Sequence, residues 1–63
     1  MNTTNITMKR EDIEALGLHD REWIEVETNS GRKKTQFISV SDSVMVTADG
    51  VIQLSNVRAV FYA

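Results

Sequence analysis

From Trp23 to Tyr62 the apolar side chains keep mostly to alternate positions, and short polar clusters interrupt them at close intervals. A period of two belongs to β-strands, whose successive side chains point to opposite faces. Residues 23–28 read as a strand with Ile24 and Val26 on one face and Trp23, Glu25 and Glu27 on the other. Asn29-Ser30-Gly31 supplies a turn. The next strand is expected over residues 33–40. Phe37 falls out of step with Ile38 and Val40 there, which predicts a bend or bulge. Further strands follow at residues 44–47, 51–54 and 57–62, separated by Ser41-Asp42-Ser43, by the hairpin signal Ala48-Asp49-Gly50, and by Ser55-Asn56.

The residues before Trp23 follow a different rule. Met8, Ile13 and Leu16 share one stripe of a helix expected over residues 8–16, with Met8 at its margin. Thr7 is the expected N-cap, and Glu11 and Asp12 sit near the positive end of the helix dipole. Gly17 suits the position after the helix, and Leu18 can close the cap. Residues 1–6 read as a polar arm.

Sixty-three residues allow one domain. A chain of this size buries only about 60% of the surface it exposes when unfolded, so a deep dry pocket is hard to build. Five short strands with tight turns point to a mainly β (α+β) fold: a five-stranded antiparallel small barrel over residues 7–63, with one N-terminal helix. Cysteine is absent, which removes disulfides and thiolate metal sites. No apolar run near the N-terminus suits a signal peptide, and none approaches a membrane span. The expected setting is the cytoplasm of a bacterial or phage-infected cell.

The net charge is −2, but its distribution says more than its sum. Residues 11–27 hold Glu11, Asp12, Glu14, Asp20, Glu22, Glu25 and Glu27 against Arg21, a segment charge of −6. Residues 28–63 set Arg32, Lys33, Lys34 and Arg58 against Asp42 and Asp49, giving +2, and Lys9 and Arg10 supply the other +2. An acidic end therefore adjoins a mildly basic strand region.

Catalytic chemistry finds little support. His19 is the single histidine and has no second group in sequence context to make a general base or ligand pair. Ser39, Ser41 and Ser43 alternate without a nucleophile elbow, no Gly-rich loop precedes a helix, and the acids lack calcium-loop spacing. The expectation is a protein that is not an enzyme and needs no cofactor or metal. Two placements are open for Trp23: in the core, or on the strand face of Glu25 and Glu27. An exposed Trp among carboxylates would be a binding hot spot steered towards a basic partner.

Val26-Glu27-Thr28-Asn29-Ser30-Gly31, Asp42-Ser43-Val44-Met45-Val46 and Asn56-Val57-Arg58-Ala59-Val60 together resemble the Sm-like group of small barrels, which includes bacterial RNA chaperones. That group has an N-terminal helix, a strand, a Gly turn, a long bent strand, a short strand and a closing pair. The resemblance implies an SH3- or Sm-like barrel and ring assembly through strand edges. This chain departs from the group's pattern: Gln36 replaces the Gly usual in the bent strand, Val46 the Asn that many members use to hold a base, and Ser55-Asn56 the Arg-Gly pair near the end. Residues 6–18 and 23–27 are more weakly similar to AbrB-like swapped-hairpin DNA-binding regulators, without the Pro and the Gly-Asp turn of that unit.

The leading expectation is an interaction protein. Its acidic helix and first strand would bind a basic, nucleic-acid-handling partner protein through Glu11, Glu14, Glu22, Trp23, Glu25 and Glu27. In size and charge it is similar to phage or mobile-element inhibitors, including anti-CRISPR proteins. The second expectation is an Sm-like RNA or DNA binder, ring-forming in its homo-oligomeric version, that uses Arg32, Lys33, Lys34 and Phe37. An AbrB-like regulator is the third.

Overall fold

The computed structural model describes residues 7–63; the polar arm expected over residues 1–6 lies outside them. Five antiparallel strands follow one short helix: α1 (Arg10–Glu14), β1 (Trp23–Thr28), β2 (Gly31–Val40), β3 (Val44–Thr47), β4 (Gly50–Gln53) and β5 (Val57–Tyr62), with a 3₁₀ turn at Leu54–Asn56. The strand order is β4-β3-β2-β1-β5. The expected barrel is not closed by these ladders: β4 and β5 are the two edges of an open sheet.

The sheet is held together by the length of β2. Its first part, Gly31 to Gln36, pairs with β1, and its second, from Phe37 to Val40, pairs with β3. The changeover falls at Phe37, where the bend was expected. Phe37 opposes Thr47 and Ser39 opposes Val46, which leaves Ile38 as the extra residue of a bulge. The Phe37 N–H donates to the Glu22 carbonyl at 2.9 Å, and the Phe37 carbonyl accepts from the Arg21 N–H. Arg21 reaches that position with a φ of 65°, in the left-handed region.

Two hairpins use one local device. Thr28-Asn29-Ser30-Gly31 and Thr47-Ala48-Asp49-Gly50 each close on a Thr–Gly pair around a two-residue loop. The Thr hydroxyl accepts from the N–H two residues on, at 3.1 Å from Ser30 and 3.2 Å from Asp49. It also donates to the carbonyl of the closing Gly. Gly31 and Gly50 have φ values of 119° and 134°, which residues with a Cβ adopt only under strain. The turn at Asp49-Gly50 is therefore shifted by one from the expected register. Ala48 and Asp49 form the loop, and Gly50 already belongs to β4. Likewise β2 starts at Gly31, ahead of the expected Lys33. The 51–54 strand ends at Gln53, with Leu54 buried in the 3₁₀ turn.

The helix is shorter than the apolar stripe suggested. Thr7 does not cap it, because the Met8 N–H donates to the Val57 carbonyl at 2.8 Å and keeps that segment beside β5. Lys9 is the N-cap, and its N–H donates to the Asp12 carboxylate at 2.9 Å. Ile13 enters the core as expected, and Met8, Leu16 and Leu18 pack around it half-buried. Gly17 takes the expected left-handed conformation, with φ 67°. The core joins Ile13 to Ile24 and Val26 of β1, Phe37 of β2, Met45 of β3, Leu54, and Val57 and Val60 of β5.

Two threonines are buried among these apolar groups, with different fates. Thr47 has both of its turn hydrogen bonds. The Thr35 hydroxyl has no hydrogen-bond partner among the described residues. A buried polar group left unpaired costs stability, whereas a paired one contributes modestly. Thr35→Val is expected to raise stability by about 1 kcal/mol, and Thr47→Val to lower it by about 1 to 2 kcal/mol. Urea midpoints of the two variants check this, and shifts in the same direction would contradict the assignment.

Candidate functional site

Alternation along β1 places Trp23, Glu25 and Glu27 on the face of the sheet away from Ile24 and Val26. Register supplies their neighbours. Trp23 lies opposite Gln36, Glu25 opposite Lys34 and Glu27 opposite Arg32 on β2. On the other side Glu25 opposes Phe61, and Glu27 opposes Ala59, of β5. Directly paired residues share a face. The outer face of β2-β1-β5 is thus a central row of one aromatic and two acids, flanked by a basic row and an apolar row.

Arg32 ties the three rows together. Its guanidinium lies 3.3 Å from Glu25 Oε1 and 3.4 Å from Glu27 Oε1. It also stands over the Phe61 ring, 4.4 Å from the centroid. The arginine therefore crosses β1 from β2 to β5. Both acids are half-buried and share one cation. Lys34 is exposed, and together with Trp23 and Ala63 it lines a shallow depression at the end of the face. Trp23 is 54% and Phe61 40% exposed. Of the two placements open for Trp23, the outer face is the one it takes.

The remaining acids do not join this face. Ile13 fixes α1 to the core side of the sheet, so Glu11 and Glu14 lie across the sheet from Glu25 and Glu27. Glu11 is exposed and has no ion-pair partner among the described residues. Glu14 pairs with Arg10 at 3.0 Å, and Arg10 also reaches Asp42 at 2.8 Å. These contacts, the Asp42 hydrogen bond foremost, push the Arg10 pKa above its usual high value. Glu22 is half-buried and accepts from the His19 N–H at 2.9 Å. The acidic segment read as one surface is therefore two surfaces and a loop.

The second set of residues separates as well. Phe37 is only 8% exposed and belongs to the core, so it is not placed to stack on a base. Arg32 and Lys34 share the outer face, but Lys33 between them points to the other side, 3.9 Å from Asp49. Three adjacent bases on a strand cannot form one patch, because the period of two splits them. Sequence reasoning missed Arg32 as a partner of Glu25 and Glu27. The signal was the hairpin: with the loop at Asn29-Ser30, the register sets Glu27 against Arg32. Phe61 left no such signal, because β5 reaches β1 from far along the chain.

No group of three His, Cys, Asp or Glu side chains able to hold a metal occurs among the described residues. No helix there is long and apolar enough to cross a membrane. Comparison with known proteins finds no matching family model, curated protein or solved structure.

Trp23 is the single tryptophan, so its fluorescence reports this face alone. Its emission is expected to be red-shifted in the folded protein and quenched readily by iodide; a blue-shifted, protected emission would place the indole inside. A double-mutant cycle on Arg32 and Glu27 should give less than about 1 kcal/mol of coupling, smaller still in high salt, because the guanidinium is exposed and the carboxylate only half-buried.

Proposed function

We propose that this chain is a non-enzymatic binding protein that docks a basic partner protein on the outer face of β2-β1-β5. The observation that carries the reading is Trp23, a large indole left about half exposed at the end of a three-stranded face. Covering that half with a partner would contribute about 3 kcal/mol. Phe61 extends the apolar area beyond the row of acids. Glu25 and Glu27 share one guanidinium, so together they carry one more negative charge than Arg32 neutralises. They would accept an arginine or lysine of the partner, and Lys34 would sit at the rim.

Basic surfaces of this kind are common on proteins that handle nucleic acid, and an occupant of such a surface would act as an inhibitor. The succession of short helix, Gly turn, long bent β2 and short strands favours an SH3- or Sm-like small barrel as the family of shapes. Direct RNA binding is the lesser reading. The two carboxylates in the middle of the face repel phosphates, and Phe37 lies in the core.

The test is capture of a partner from the natural host by the wild-type chain and by variants, scored for protein and for RNA. Trp23→Ala should weaken capture by about tenfold or more, and Glu25→Lys with Glu27→Lys should abolish it. Lys33→Glu, on the other side of β2, should leave it unchanged. Salt-sensitive RNA binding lost in Lys34→Glu and strengthened in the Glu25 and Glu27 variants would overturn the proposal.

A further inference from the structure

The open sheet has two edges, and the chain guards them differently. Unpaired strand edges offer rows of N–H and C=O groups to any other strand, and proteins blunt them with charges, bulges or covering segments. At β5 such guards are present. The Met8 N–H takes the Val57 carbonyl at 2.8 Å, and Arg58 is the extra residue of a bulge between Ala59 and Val57. The Tyr62 hydroxyl is tied to the Leu16 carbonyl.

At β4 the strand is short, four residues, but no charge, proline or bulge guards its edge among the described residues. Gly50-Val51-Ile52-Gln53 contains no charge and no proline, and its ladder with β3 is regular. Alternate residues of such a strand turn their backbone groups to the open side. Val51 is 63% exposed there, more than any other large apolar side chain of the described residues. The nearest charge, Asp49 in the hairpin loop, faces Lys33 at 3.9 Å.

We propose that β4 pairs antiparallel with β4 of a second copy of this chain about a two-fold axis, with Val51 beside its symmetry mate. The edge is complementary to itself: it is uncharged, and it sets an apolar side chain against its own copy without bringing like charges together. Head-to-tail pairing would need the guarded β5 edge instead. A strand of four residues makes a small interface, so the dimer is weak and forms at high protein concentration. It leaves the outer face of β2-β1-β5 free and does not depend on the function proposed for that face.

Sedimentation velocity over a dilution series tests the pairing. The wild-type chain should pass from monomer to dimer as concentration rises, and the dimer should bring slower hydrogen exchange to β4 amides. Val51→Lys, at an exposed position, should stay folded by circular dichroism and remain monomeric, while Trp23→Ala should dimerise like wild type. A chain that stays monomeric at millimolar concentration would overturn the inference. So would a dimer that persists in Val51→Lys, assembly into larger rings, or β4 amides protected by a foreign strand instead of a second copy.

Discussion

Phe37 is held from both sides, and the rest of the sheet depends on it. Its backbone pairs with the Arg21-Glu22 segment on one side, and in register with Thr47 on the other. Its ring lies in the core. Up to Gln36 the strand belongs to β1; beyond it, to β3. The bulge at Ile38 turns the strand where it changes partners, so one continuous β2 serves two halves of a bent sheet around a single core. Arg21 adopts a left-handed conformation at this junction, a strain of order 1 kcal/mol that the surrounding hydrogen bonds hold in place.

The strands were legible because a half-buried strand must alternate, as Ile24 and Val26 do in β1 and Met45 and Thr47 in β3. β1, β3 and β5 begin and end where the pattern places them. The bend at Phe37 was legible for the same reason, since a broken alternation requires an extra residue. What escaped was tertiary. The helix lost its first two residues because the backbone at Met8 bonds to Val57, and no local propensity records a partner so distant in sequence. The hairpin loops were misplaced by one residue at Gly50 because the Thr hydroxyl bonds, and not Asp-Gly alone, set the closing pair.

The same division applies to the outer face of β2-β1-β5. Trp23, Glu25 and Glu27 fall together by alternation, and a strand pattern contains that much. Segregation of charge along the chain suggested an acidic side and a basic side. Register cancels much of it, because an antiparallel hairpin folds the basic residues 32 and 34 back onto the acidic residues 27 and 25. The surface that results is banded: cations, then acids with an indole, then aromatic and alanine side chains. A partner of the kind proposed would have to match that order of bands, which is a stricter demand than attraction to net charge.

The strand order has a further consequence, in the entropy of the unfolded chain. Four of the five strands form a meander, in which each ladder joins neighbours across a loop of two or three residues. The closure cost of such loops is small. Only the pairing of β1 with β5 joins distant segments, Ile24 with Tyr62 and Val26 with Val60. Nearly all the long-range loop entropy of the fold is therefore concentrated in one ladder. The contacts that offset it are the burial of Val57 and Val60 against Ile24 and Val26, and they make the central strand of the outer face depend on the most distant segment of the chain.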